Sequence, residues 1–128
     1  MTVSERIDDM FAKMEWHDAM LLGLKIDRRS PGERDEVALL IEWPDGRSQK
    51  VCFADCYGFD AQMNFGVTAP ESIRSARCIA DAPKLVEIKQ RWTALGVDLR
   101  DLQCFEITTN STASEIHIFA KRFEVSAF

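Results

Sequence analysis

Residues 16–27 constrain the fold most, because the spacing of apolar residues changes there from helical to strand-like. The apolar residues before this stretch recur at the three- and four-residue intervals of one helix face: Ile7, Met10, Phe11 and Met14. Those that follow Met20 alternate with small or charged residues, as in a strand: Leu22, Leu24 and Ile26. The pattern predicts a helix, capped by Ser4, that leads directly into a β-sheet.

Two further alternating runs, residues 37–43 and 49–54, follow the first strand. The residues between them read Pro-Asp-Gly-Arg over 44–47, which is typical of a tight hairpin turn. The three runs together predict an antiparallel meander.

The rest of the chain predicts four more strands and a second helix. The strands are expected over 59–65, 72–79, 102–109 and 115–125, with a bend or bulge at 55–58 before the first of them. The helix is expected to begin after Asp81 as its cap, with Pro83 in its first turn, and to end at Gly96. Its apolar face is Leu85, Ile88, Trp92 and Leu95, and Glu87 and Arg91 form a pair on its exposed side.

Clustered strands and two amphipathic helices define the expected class of fold. We predict a single α+β domain over residues 1–128, built on a mainly antiparallel sheet of about six or seven strands with both helices packed on one face. A chain of 128 residues is long enough to bury such a core without a metal or a disulfide.

Charge and composition narrow the classes of partner. The net charge is −5, and its excess lies in residues 1–64, which hold 13 acidic and 8 basic residues. A nucleic-acid-binding surface requires a basic patch, so we expect no nucleic-acid partner. The sequence shows neither an apolar run long enough for a membrane helix nor a signal peptide, so a cytoplasmic location and no membrane partner are expected.

The four cysteines do not form a recognisable metal-binding pattern. Cys52 and Cys56 are spaced more widely than a zinc-binding pair, and Cys78 and Cys104 stand alone. We therefore expect free thiols, no structural metal and no cofactor.

Six residues are candidates for ligand binding: His17, Asp18, Asp55, Cys56, Asp60 and Asn64. A histidine beside a carboxylate can act as a base, but His17 and Asp18 would point to opposite faces once the strand has begun. The alternative is a helix-to-strand junction in which both are structural. Cys56 would need a base to act as a nucleophile, and neither His17 nor His117 is close to it in sequence. We assign no catalytic residue.

The triplet Trp16-His17-Asp18, followed by the strand patterns and by Asn64-Phe65-Gly66, resembles small bacterial families of uncharacterised activity. The resemblance covers residues 16–66. Some related families are similar to immunity proteins of polymorphic toxin systems. The resemblance implies a bacterial α+β protein and carries over no site residue.

Two functions of different classes remain open. The first is a non-enzymatic protein-interaction domain, immunity-like and neutralising a basic toxin domain; a second copy of the chain, in a homodimer, is the other partner considered. The second is a small-ligand-binding protein or enzyme with a pocket near Asp55 to Asn64. A closed pocket lined by His17, Asp55 or Cys56 would favour the second function, and a flat surface would favour the first.

Overall fold

The computed structural model describes residues 6–127 and has the predicted α+β architecture, with one antiparallel sheet of six strands. The elements in chain order are α1 (Ile7–Ala12), β1 (Met20–Ser30), β2 (Arg34–Glu42), β3 (Ser48–Gln62), β4 (Ile73–Ile79), α2 (Pro83–Thr93), β5 (Gln103–Thr109) and β6 (Glu115–Ala127). The strands lie in the order β1-β2-β3-β6-β5-β4. Within residues 6–127 no helix has the length and apolar content needed to cross a membrane.

The first three strands form the predicted meander, and the turn at 44–47 closes with the Trp43 N–H donating to the Arg47 carbonyl at 2.8 Å. The separate strand predicted over 59–65 does not exist. Its residues up to Gln62 continue β3, which crosses the predicted irregularity as a bulge between Cys56 and Gly58. The strand can continue because β6 pairs with it along its length, from Gln49 opposite Ala127 to Gln62 opposite Glu115.

The sheet curls until its two edge strands meet at one corner. There the Leu21 N–H donates to the Glu71 carbonyl at 2.8 Å, and the Ile73 N–H donates to the Ala19 carbonyl at 2.7 Å. Beyond this corner β1 and β4 separate, and within residues 6–127 no other strand pairs with their outer edges.

The inner face of the sheet, defined here as the face that α1 covers, holds an aromatic core. Phe11 of α1 is fully buried, and its ring centroid lies 4.8 Å from that of Trp16 and 4.9 Å from that of Phe105. Phe53 and Phe123 complete the cluster around it. The Trp16 indole N–H donates to the Phe11 carbonyl at 2.8 Å, which holds the end of this short helix in place.

Helix α1 differs from the prediction at Met10. Met10 was expected on the apolar face, but 43% of it is exposed. The cap proposed at Ser4 lies outside the described residues.

Helix α2 packs on the opposite, outer face, which corrects the expectation that both helices share one face. Leu85 and Ile88 contact Cys104 and Phe119, whereas the strand neighbours of those two residues belong to the aromatic core. Adjacent residues of a strand point to opposite sides of a sheet, so the two helices lie on opposite faces. A β-carbon at Gly58 would lie 3.0 Å from Ile88 Cδ1, so a larger residue there would have to displace the Ile88 side chain by a few tenths of an ångström.

The ends of α2 match the prediction in part. Gly96 has a φ of +83° and ends the helix, and Arg91 donates to Glu87 at 2.8 Å. Ala82, rather than Asp81, occupies the N-cap position, and no side chain caps the helix. Leu95 was expected on the apolar face but is 70% exposed, because the chain turns at Gly96 before it can be covered.

Candidate functional site

A cleft of about 500 Å³, the strand cleft, lies between the tip of the β1–β2 hairpin and the second half of β3. The hairpin contributes Ile26, Arg28, Gly32, Glu33, Asp35, Glu36 and Val37 to its lining, β3 contributes residues 55–59, and α2 contributes Trp92.

The cleft opens because β2 and β3 separate at this point. Their pairing ends at Val37 and Phe53, and two residues later Asp55 has a φ of +55°. That left-handed conformation is uncommon for a residue other than glycine and redirects the strand. Within residues 6–127, no strand pairs with the cleft edge of β3 beyond Phe53.

The lining is predominantly acidic. Four carboxylates, those of Glu33, Asp35, Glu36 and Asp55, face one cation, Arg28. Two carboxylates are partly neutralised from outside the lining, since Arg34 lies 3.6 Å from Glu36 and Arg122 forms an ion pair with Asp55. Asp35 accepts a hydrogen bond from the Gly32 N–H at 3.0 Å. The cleft therefore keeps a negative potential that favours a cationic ligand.

Cys56 also lies in the cleft. Burial raises the pKa of its thiol to about 12; the Val37 backbone amide opposes this shift, and the carboxylates of Asp35 and Asp55 add to it. The thiol donates to the Phe53 carbonyl at 3.3 Å. A thiol with a raised pKa stays protonated near neutral pH and is a poor nucleophile. The four cysteines are free, as predicted.

Aromatic side chains form one wall of the cleft. The rings of Tyr57 and Trp92 meet edge to face with centroids 5.2 Å apart, and Lys121 Nζ lies 5.8 Å from the centroid of Tyr57. Trp92 is only partly buried, so its ring is accessible to a ligand in the cleft.

Asp60 and His117 belong to a different place, a polar row across the outer face of the sheet. Asp60 accepts from Lys84 of α2 at 2.9 Å and is the cross-strand neighbour of His117. His117 Nε2 lies 2.9 Å from Glu106, which also accepts from Arg77 at 3.0 Å. Burial by itself would raise the pKa of Glu106, but the hydrogen bonds from His117 and Arg77 outweigh it and hold that pKa below its usual range.

His17 and Asp18 lie at a helix-to-strand junction, the alternative to their pointing to opposite faces of a strand, and their side chains form a pair. His17 Nδ1 lies 3.3 Å from Asp18 Oδ2 because β1 begins only at Met20, so both residues precede the strand. Both side chains are exposed, and neither lines the strand cleft. The Asp18 N–H donates to the Ile73 carbonyl at 3.1 Å, which gives this residue a structural role at the closed corner of the sheet.

Asn64 holds two loops together. Its side-chain amide donates to the Thr112 carbonyl at 2.9 Å, and its backbone N–H donates to Ser114 Oγ at 2.9 Å. Glu71 also accepts from Thr112. The segment after β3 is thereby fastened to the β5–β6 connection, well apart from the cleft lining.

Of the six candidates, the structure places Asp55 and Cys56 in the strand cleft and distributes the others over three different places. The sequence analysis missed Glu33, Asp35, Glu36 and Trp92. A signal for the first three was present, because extending the meander register by two residues beyond Val37 and Phe53 would set Asp35 across from Asp55, at the point where the strands separate. Nothing local indicated that α2 would bring Trp92 to the same point.

No protein-family model matches the chain, and no curated protein matches it.

Proposed function

We propose that the protein is a non-enzymatic interaction protein that holds an extended, basic segment of a partner protein in the strand cleft. The observation that carries the proposal is the combination of an unpaired strand edge with an acidic lining at one place. The resemblance to immunity-like families adds that the partner is a basic toxin domain.

The backbone supports this mode of binding. An extended segment can add to a free sheet edge through main-chain hydrogen bonds, while pockets accept its alternate side chains. The cleft edge of β3 offers such main-chain groups beyond Phe53, and the aromatic wall formed by Tyr57 and Trp92 stands beside it.

The charges support a basic partner. Glu33 is exposed at the tip of the hairpin, and the Asp35 carboxylate accepts a hydrogen bond from the Gly32 N–H. Neither carboxylate forms an ion pair with a cation of the cleft lining. Lysine or arginine side chains of a bound strand would supply these cations. Electrostatic attraction would also speed the association at low ionic strength.

A peptide of alternating lysine and valine residues tests the proposal directly. Binding measured by fluorescence anisotropy is expected for this peptide and not for the same peptide with glutamate in place of lysine. The double variant Glu33→Lys, Asp35→Asn should weaken binding about tenfold, because it replaces an acidic lining with a nearly neutral one. Absence of binding by the lysine peptide would refute the basic occupant.

A matched control separates the cleft from overall charge. The double variant Glu115→Lys, Asp9→Asn makes the same change in net charge at exposed positions outside the cleft and should bind as the unmodified protein does. Hydrogen exchange should also show new protection of β3 amides within residues 55–62 when peptide is bound. Protection that develops elsewhere, or equal weakening by both double variants, contradicts a site in the cleft.

A second function, binding of a small molecule, follows from the size of the cavity. A volume of about 500 Å³ is within the usual range for small-ligand sites, and the acidic lining with its aromatic wall suits an organic amine. Tight binding of a diamine that displaces the lysine peptide would favour this function over the first.

A further inference from the structure

The outer edge of β1 is an unpaired strand that carries three exposed apolar residues. Leu22 is 53% exposed, Leu24 37% and Ile26 48%. Within residues 6–127, only Met20 of this strand has a bridge on its outer side, to Ser72. An exposed apolar edge strand promotes pairing with a strand of another chain, so this edge is a candidate interface.

The direction of the backbone groups shows that this edge is ready to pair. The backbone N–H of Trp43 points toward β3, where it donates to Arg47. The backbone N–H and carbonyl groups of every second residue before it on β2 point in the same direction: Ile41, Leu39 and Val37. The β1 partners of the last two are Leu24 and Ile26. Their N–H and carbonyl groups therefore point outward, as the Leu21 N–H does where it reaches Glu71.

We propose that the protein forms a symmetric dimer in which β1 pairs antiparallel with β1 of a second copy, centred on Ile26. In this register Ile26 faces Ile26, and Lys25 of each copy faces Asp27 of the other. Leu24 faces Arg28, whose alkyl stem can cover it; Ile26 and Arg28 also line the strand cleft, so the two proposed surfaces adjoin. The two six-stranded sheets then become one, and the twofold symmetry closes the assembly.

Charge selects this register over its neighbours. Pairing centred one residue earlier would place Lys25 opposite Lys25, and pairing centred one residue later would place Asp27 opposite Asp27; directly opposed like charges are destabilising. A lysine on an edge strand commonly prevents pairing, but here the strand itself supplies the counter-charge two residues away. Asp27 already accepts three hydrogen bonds from Arg29, and a carboxylate has about four acceptor sites, so about one remains for Lys25 of the second copy.

The other edge of the sheet does not offer the same possibility. The exposed charged side chains of β4 are Arg74 and Arg77, both cationic, and Ser75 lies between them. Self-pairing of β4 would add two cations from each copy to the seam, with no carboxylate on the same strand to pair with them. The second copy is therefore expected at β1 alone.

Sedimentation velocity over a concentration series, from low micromolar to several hundred micromolar, tests the dimer. A single strand pair buries less than the roughly 1,600 Å² of a standard interface, so a concentration-dependent monomer–dimer equilibrium is expected. A monomer over the whole series overturns the proposal.

Three variants test the register. Ile26→Lys should abolish the dimer because it places lysine opposite lysine at the centre. Lys25→Asp should raise the dissociation constant about tenfold, because two carboxylates then oppose each other. The exchanged pair Lys25→Asp, Asp27→Lys should restore dimerisation, since the opposed charges are again opposite in sign. Loss of the dimer in all three would overturn the stated register.

Control variants separate loss of the β1 contact from unfolding and from changes elsewhere on the surface. Val86→Lys removes a comparably exposed apolar residue, at 45%, from α2 and should leave the dimer unchanged. Thermal melts verify that each variant is folded; Lys25 is an exposed edge residue, so its variant remains informative if Ile26→Lys fails to fold. The cleft variant Glu33→Lys, Asp35→Asn should dimerise normally, which distinguishes failure of this proposal from failure of the proposed function. A dimer that survives both Lys25→Asp and Ile26→Lys overturns the assignment to β1.

Discussion

The inner and outer faces of the sheet are built from alternate residues of the same strands, yet they differ in how completely they are buried. On the inner face, Phe11, Phe53 and Phe105 are fully buried. On the outer face, α2 covers one end around Phe119, and the rest carries the polar row from Arg77 through Glu106 to His117. The inner face is therefore expected to provide most of the stability, and the outer face and the edges to provide surface for recognition.

The difference arises from how each helix meets the sheet. Helix α1 has six residues and no side-chain cap, so its own hydrogen bonds contribute little, and it is held by aromatic contacts. Helix α2 is longer and ends in a defined turn, but it buries only Leu85 and Ile88 completely or nearly so. A strong local helix signal does not identify the element that contributes most to the core.

The largest effect is expected at the centre of the inner face. Phe105→Ala should lower the free energy of unfolding by about 3–5 kcal/mol, because it leaves a cavity among several rings. The Phe105 ring lies 4.9 Å from Phe11 and 5.0 Å from Phe53, centroid to centroid. Urea unfolding followed by fluorescence measures the change, and a loss under about 1 kcal/mol would contradict an enclosed aromatic core.

A smaller effect is expected on the outer face. Ile88→Ala should lower the free energy of unfolding by about 2–3 kcal/mol, toward the lower end for buried aliphatic residues, since the cluster under α2 is small. Ile88 is 4% exposed and fits against Gly58. The same urea titration applies. If Ile88→Ala proves as destabilising as Phe105→Ala, the ranking of the two faces is wrong.

The polar row should make a pH-dependent contribution to the free energy of unfolding. Because the pKa of Glu106 is lower in the folded protein than its usual value, its stabilising contribution is complete above the unfolded pKa of about 4.3 and is lost as the pH falls through the lower folded value. Glu106→Gln should therefore cost about 1 kcal/mol at pH 7 and progressively less in acid. Unfolding measured across this pH range gives the test; a difference between the two proteins that is independent of pH would disprove the linkage.

The smallest effect is expected at the exposed side of α2. Glu87→Ala removes an ion pair whose side chains are 64% and 66% exposed, so the change should remain within about 0.5 kcal/mol. A thermal melt is sufficient to detect a larger shift. A loss above about 1 kcal/mol would mean that this surface is coupled to the core.

The candidate site could be predicted only in part from sequence. The bend at Asp55 and Cys56 was recognisable because its residues interrupt an alternating pattern, and the structure has a bulge there. Asp60 and Asn64 follow within a few residues, but the bulge and the turn direct them to other partners, Lys84 and the loop at Thr112. Proximity in sequence is a poor guide once a strand changes direction.

Local patterns in the chain were sufficient for the α+β class, the meander, the hairpin turn and the body of α2, because each depends on side-chain periodicity or on a turn residue within a few positions. Only the tertiary structure decided that β3 continues to Gln62, since that depends on pairing with β6 more than fifty residues later. It also decided that the helices cover opposite faces, because an amphipathic stripe shows that a helix needs a covering partner and not which side of the sheet provides it. The strand cleft arises in the same way, from the separation of two strands whose individual patterns are regular.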